Sequence, residues 1–226
     1  MCGRYTITVT MEELMLHYFA DLPSVPFHLP RYNVAPTQMV PAVVNDGQRN
    51  RLGLLKWGLI PPWADDEKGG SRLINARAET LQERPAYRDA FRRKRCLIPA
   101  DGFYEWKAAP GGGGKRPYRI RLKGGGLFSM AALYETWTAP DGRRVSSFAI
   151  VTTEPNKLMA GIHDRMPVIL RREDEALWLD RRVQDPAELT ELLVSYPDDE
   201  MEAYEVDRRV GNPANDDAAC LEKASG

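Results

Sequence analysis

The chain of 226 residues is poor in the groups that staple, ligate or span. Its three cysteines, Cys2, Cys96 and Cys220, include no close pair, so neither a disulfide framework nor a zinc knuckle is indicated and reduced thiols are expected. No cofactor is implied. A metal site built from Cys2, Glu105 and His163 is a remote reading, because no close pair of ligands supports it. No apolar run approaches the roughly 20 residues of a membrane-spanning helix, and the N-terminus lacks the apolar core of a signal peptide. A soluble, intracellular protein without membrane partners is expected. Charge of either sign is also not in excess: the formal net charge is -1, so any nucleic-acid site must be a local patch.

What is present is ordinary globular composition, 43% hydrophobic and 28% charged, with enough chain for one large domain. Basic residues cluster locally, as in RRKR at 92 to 95 and RPYRIRLK at 116 to 123; most such runs are solvated faces balanced by nearby acids. TMEELMLHYFA at 10 to 20 has a Thr N-cap, a Glu three residues on and apolar residues at helical spacing, which predicts a short helix. RPAYRDAFRRK, REDEALWLD and DPAELTELLV read as further helices. The remainder alternates strand-like runs with turn signals: RCLIPADGFYEWK, RPYRIRL, LFSMAALYETW, RRVSSFAIVTT, MPVIL and MEAYEVDRRV, the glycine runs between them being short enough for hairpins. This pattern predicts a single α+β domain around a largely antiparallel, barrel-like β-sheet with peripheral helices.

MCGRY opens the chain, and Cys2 becomes the N-terminal residue once Met1 is removed, which places an α-amine and a thiol on one residue. Cys96 reads as a buried core thiol, and Cys220 lies near a C-terminal tail. Three polar residues stand where strands begin or end: Asn75 in LINARAE, Glu105 between aromatics in DGFYEWK, and His163 in GIHDRMPVIL. Each alone fits an ordinary structural role, as a turn residue, an outward strand position and a loop histidine. With a cysteine nucleophile they compose a site, since histidine and a partly buried glutamate are the usual proton carriers near neutral pH. Flanking aromatics should desolvate Glu105 and raise its pKa.

Seven segments in order, MCGRY, RYNVAP, WGLIPPWA, INARAET, RCLIPADGFYEW, FAIVTTEPN and IHDRMPVIL, resemble the SRAP family, the SOS response-associated peptidase domain. The resemblance implies an SRAP domain over 2–217 with a tail at 218–226. It implies an enzyme of the hydrolase or lyase class that captures abasic sites in single-stranded DNA, as a thiazolidine crosslink through Cys2, with autocatalytic loss of Met1. Cys2, Asn75, Glu105 and His163 would be its catalytic residues. Arg4 and Arg77 would contact phosphates, Trp106 and Thr152 would line the DNA cleft, Pro36 and Trp63 would shape the DNA path, and Arg165 would also bind DNA. The acidic, glycine-rich stretch PPWADDEKGGSR leaves contacts near it open. A monomer bound to abasic single strands, also at single-strand to duplex junctions, is the expected assembly. Two alternatives stay open: a cysteine peptidase acting on proteins with Cys2, His163 and Asn75, and a non-covalent module for single-stranded DNA.

Overall fold

The computed structural model describes residues 2–19 and 28–224. Met1, Ala20 at the end of the first predicted helix, and Ser225 and Gly226 at the end of the predicted tail lie outside the described residues. Helix α1 (Met11–Tyr18) forms where its signals stand: the Thr10 hydroxyl accepts from the Glu13 N–H, the Glu13 carboxylate accepts from the Thr10 N–H, and Met11, Leu14 and Tyr18 are buried on one side. No helix among the described residues is long and apolar enough to cross a membrane.

The strands are β1 (Tyr5–Ile7), β2 (Arg31–Val34), β3 (Met39–Asn45), β4 (Asn50–Trp57), β5 (Asn75–Arg77), β6 (Arg95–Ala100), β7 (Gly102–Ala108), β8 (Lys115–Leu122), β9 (Phe128–Thr138), β10 (Arg144–Thr153), β11 (Met166–Pro167), β12 (Ile169–Leu170) and β13 (Met201–Glu205). Helices α2 (Arg88–Arg93), α3 (Lys157–Ala160), α4 (Glu175–Leu179) and α5 (Pro186–Thr190) lie between them. β10 pairs with β4, β4 with β3, β3 with β6, β6 with β9, and β9 returns to β10, so these strands close a ring. A second sheet runs β13-β8-β7-β1-β2. The α+β class with a barrel-like, largely antiparallel sheet is therefore present, and β10 is its exception: both β4 and β5 lie parallel to it.

Local patterning misplaces two features. The run 95–107 reads as one strand but divides at Asp101, with β6 in the ring and β7 in the second sheet. The corner is held by partners distant in sequence: the buried Asp101 carboxylate accepts from the hydroxyls of Thr6 and Thr8 and pairs with buried Arg119 at 3.4 Å. The glycines near 124–126 carry the chain from β8 across to β9 in the other sheet, not through a hairpin.

The core fills the ring and the space between the sheets. Tyr5 and Trp57 meet at 5.3 Å between ring centroids, and Trp57 stacks on Phe148 at 6.2 Å. The Trp57 indole N–H donates to the Ile74 carbonyl at 3.0 Å, so the core reaches the residue before Asn75. Arg95, from the RRKR run, is buried without a carboxylate partner; it donates to the carbonyls of Trp178, Phe91, Arg92, Asp180 and Val183, and burial pushes its pKa down to about 10, still charged at neutrality.

The segment set apart as a tail is packed as far as it is described. Cys220 is fully buried beside Tyr104, Val206 and Val210, and the Tyr104 hydroxyl donates to its carbonyl at 3.1 Å. Ahead of it, Asp216 accepts from the backbone N–H groups of Tyr32 and Asn33 and pairs with Arg31. Farther on, Lys223 bridges to Val206 and the Ala224 N–H donates to the Glu205 carbonyl.

The 3-10 helix Glu67–Arg72 leads the chain into β5, and its fit is tight at Gly70, where a Cβ would lie 2.7 Å from the Gly58 carbonyl oxygen and from Ile60 Cγ1. Gly70→Ala is expected to destabilise the fold by about 1–3 kcal/mol, the range for overpacking. Urea denaturation checks it; an unchanged midpoint with unchanged slope contradicts the contact.

Candidate functional site

Segments from both sheets converge on one site. Cys2 precedes β1, Asn75 opens β5, Glu105 lies in the middle of β7, and His163 lies in the loop between α3 and β11. The sequence separates these groups by up to 161 positions, and sheet pairing brings them together: β1 lies against β7, and Asn75 is opposite Ile150 on β10.

The Asn75 side-chain amide donates to the Cys2 carbonyl at 3.0 Å. Its Oδ1 is buried and has no hydrogen-bond partner, leaving an acceptor beside Cys2 that the fold itself does not use. The Tyr87 hydroxyl donates to the Asn75 backbone carbonyl at 3.1 Å and fixes that residue from behind. Cys2 is fully buried. Burial, and then the Glu105 charge, push its thiol pKa well up, so the thiol is neutral at physiological pH.

The Glu105 side chain is 3% exposed and its Oε2 lies 3.8 Å from His163 Nε2. Burial raises the Glu105 pKa, as the flanking aromatics predict, and charge on His163 opposes the rise. His163 Nδ1 faces both the Arg165 backbone N–H at 3.0 Å and Asp164 Oδ1 at 2.9 Å. The first contact needs a lone pair on Nδ1 and the second a proton. The exposed Asp164 carboxylate and the backbone N–H thus compete for Nδ1, while Nε2 faces Glu105.

Beside the four residues lies a cleft of about 450 Å³ lined by Pro61, Trp63, Arg72, Asn75, Arg77 and Arg84, among others. Trp63 is 59% exposed. Among the described residues, Arg72, Arg77 and Arg84 have no ion pair within 4 Å, so the cleft holds uncompensated positive charge. Trp63 and Arg77, two of the residues expected from the sequence to meet DNA, line this cleft. Arg72 and Arg84 are additional, and neither carries a local motif that marks it.

The other expected contacts are placed differently. Arg4 donates to Asn33 Oδ1 at 3.1 Å and to the carbonyls of Val210 at 2.6 Å and Gly211 at 3.0 Å, and its guanidinium lies over the Trp106 ring at 5.9 Å. Its fork is engaged within the chain, and it braces the segment that joins Cys2 to β1. Arg165 is 9% exposed, forks onto Glu79 at 2.8 and 2.9 Å and donates to the Thr152 carbonyl at 2.7 Å. It ties the His163 loop to the segment after Arg77. Thr152 is buried on β10 opposite Arg77. Pro36 starts a turn with Thr37 at φ 75° and is not among the residues lining the cleft.

The profile of the family described as SOS response associated peptidase (SRAP) matches residues 1–213. The chain is 49% identical to the abasic site processing protein YoqW of Bacillus subtilis, over 98% of this chain and 99% of the relative. It is 30% identical to the abasic site processing protein YedK of Escherichia coli, over 98% and 99%. A crystal structure of a protein from Bacteroides thetaiotaomicron, 26% identical, superposes with a TM-score of 0.87 over 99% of this chain and all of that one. A barrel-like sheet joined to a second sheet, with a polar site built from residues of both, is thus the class of this protein. The chain belongs to the SRAP family.

The raised pKa of Glu105 has a consequence for stability. Between the ordinary carboxyl value of 4.5 and its raised folded value, Glu105 holds a proton in the folded state that the unfolded state has released. Its contribution is therefore full below 4.5 and is lost as pH rises through the folded pKa, at about 1.4 kcal/mol per unit of difference. Glu105→Gln removes this term, so the variant should gain stability relative to the parent as pH rises from 4.5 to neutrality, read by urea denaturation across that range. A pH-independent difference would place the carboxyl at its ordinary pKa.

Proposed function

We propose that this protein processes abasic sites in single-stranded DNA by capturing them covalently on Cys2 after Met1 has been removed. The observation that carries this reading is a buried Cys2 held by Asn75 beside the close Glu105 and His163 pair, at the wall of a cleft with unpaired arginines. The names of the relatives support the substrate class.

Each part of the chemistry has a group suited to it. An abasic sugar equilibrates between a ring and an open aldehyde, and His163 delivers the proton that ring opening needs. The α-amine of Cys2, with an ordinary pKa of about 7.7–8.0, is partly neutral at cellular pH and is the first nucleophile. The thiol is protonated in this site and therefore acts second. The amine adds to the aldehyde carbon, the resulting carbinolamine loses water to give an imine, and Glu105 moves the protons. The thiol sulfur then adds to the imine carbon while its proton passes to the nitrogen, closing a five-membered thiazolidine. The free Asn75 Oδ1 accepts from the amine or from a sugar hydroxyl. Arg72, Arg77 and Arg84 attract phosphates without reading sequence, and Trp63 offers a ring for base stacking, worth about 1–3 kcal/mol per base.

A cysteine peptidase acting on other proteins would need a thiolate, and burial beside Glu105 works against one. Hydrolysis of the Met1–Cys2 bond remains part of the reading, because the amine must be released.

Intact mass spectrometry after incubation with a single-stranded oligonucleotide carrying one abasic site tests the proposal. The expected product survives denaturant and has the mass of protein without Met1 plus oligonucleotide minus one water. Cys2→Ala gives none. Cys2→Ser gives only an adduct that borohydride must trap, since an alcohol does not replace the thiol. Absence of any adduct from protein lacking Met1 would overturn the proposal, and a stable adduct with the α-amine blocked would overturn its chemistry.

A further inference from the structure

The cleft does not end at Arg84. Residue 84 begins the helical turn that becomes α2: the Arg88 N–H donates to the Arg84 carbonyl at 3.0 Å, and the Phe91 N–H to that of Tyr87 at 2.7 Å. Tyr87, Ala90 and Phe91 are buried on one side of this helix. Arg88 and Arg92 lie four residues apart on an exposed flank of α2, with Cβ atoms about 5–6 Å apart, and the exposed Arg84 precedes them by the same interval in the turn that leads into the helix.

This row is poorly compensated. Among the described residues Arg84 and Arg92 have no ion pair, and Arg88 reaches only Asp89, at 3.9 Å with both side chains largely exposed. Like charges four residues apart oppose helix formation, so the row is not explained by the stability of α2. In the rest of the RRKR run Arg95 is buried on carbonyls and Lys94 pairs with Glu135, while Arg93 is exposed and falls outside the four-residue row. The same helix is tied to the site, because Tyr87 donates to the Asn75 carbonyl. A ligand lying along the row is therefore held in fixed register with Asn75 and Cys2.

We infer that the flank of α2 formed by Arg84, Arg88 and Arg92 is a track for the backbone of single-stranded DNA, extending the cleft beyond the lesion on one side of it. The inference rests on the reading of the cleft as a DNA path. The row offers charged forks suited to phosphate and no aromatic or amide group for reading bases, so the contacts are independent of sequence. It runs in one direction from the cleft, so nucleotides on only one side of the lesion reach it.

The test uses the full chain and oligonucleotides with a non-reactive abasic analogue, read by fluorescence anisotropy. One oligonucleotide just fills the cleft, and two others extend it by several nucleotides, to the 5′ or the 3′ side. For the parent, one extension should tighten binding several-fold and the other should not. The double variant Arg88→Gln with Arg92→Gln should lose that gain, bind the short oligonucleotide as the parent does, and show a slope of log affinity against log salt smaller by about 1.4 on the favoured long one. Equal gain from both extensions, a variant that keeps the gain, or equal weakening on short and long oligonucleotides would each overturn the track. Crosslinking of a reactive short oligonucleotide, run in parallel, keeps the two readings apart: its failure with the length-dependent gain intact overturns covalent capture alone.

Discussion

Desolvation of Glu105 is the constraint on which the site depends. A carboxyl 3% exposed needs a reason to stay inside, and its neighbours supply one: a histidine that can be charged and a backbone around Cys2 fixed by Asn75. The same dryness keeps the Cys2 thiol protonated. Burial moves both acidic groups the same way, the carboxyl up toward neutrality and the thiol farther above it. In the proposed capture, that ordering gives the first attack to the nitrogen of Cys2 and not to its sulfur.

Arginine does the structural work that holds this arrangement. Arg119 with Asp101 fixes the corner between the ring and the second sheet, Arg4 braces the segment between Cys2 and β1 against residues 210 and 211, and Arg165 clasps the His163 loop to Glu79. In each case the forked guanidinium joins segments far apart in sequence, which a single ammonium would do with fewer directed bonds. The remaining arginines around the cleft are left without such duties. The three bracing guanidinia are tied up by partners within the chain, whereas Arg72, Arg77 and Arg84 have no ion pair among the described residues and line the cleft.

Much of this fold is written locally and some of it is not. The capping box at Thr10 and Glu13, the turn at 139–144 and the short helices are decided by neighbours in sequence, and they stand where patterning places them. The corner at Asp101 and the parallel seat of β5 beside β10 are decided by partners many residues away, which no window of sequence contains. The site shows the same split. Asn75, Glu105 and His163 are unremarkable singly and become legible through the ordered segments around them. Arg72 was hidden by its setting, since the acids before it look like compensation. They are consumed elsewhere: Glu67 pairs with Lys56 and Arg143, and Asp66 accepts from the Lys68 N–H.

The C-terminal segment has a role beyond packing. The second sheet has two edges, β2 and β13, and an open edge is a template for adding a foreign strand. Asp216 takes the exposed N–H groups of β2, and residues 223 and 224 engage the chain at the end of β13. One short stretch thus shields both margins. It lets a β-rich protein carry an unclosed sheet beside its barrel without offering that sheet for aggregation, and that protection comes from residues beyond the 213 matched by the family profile.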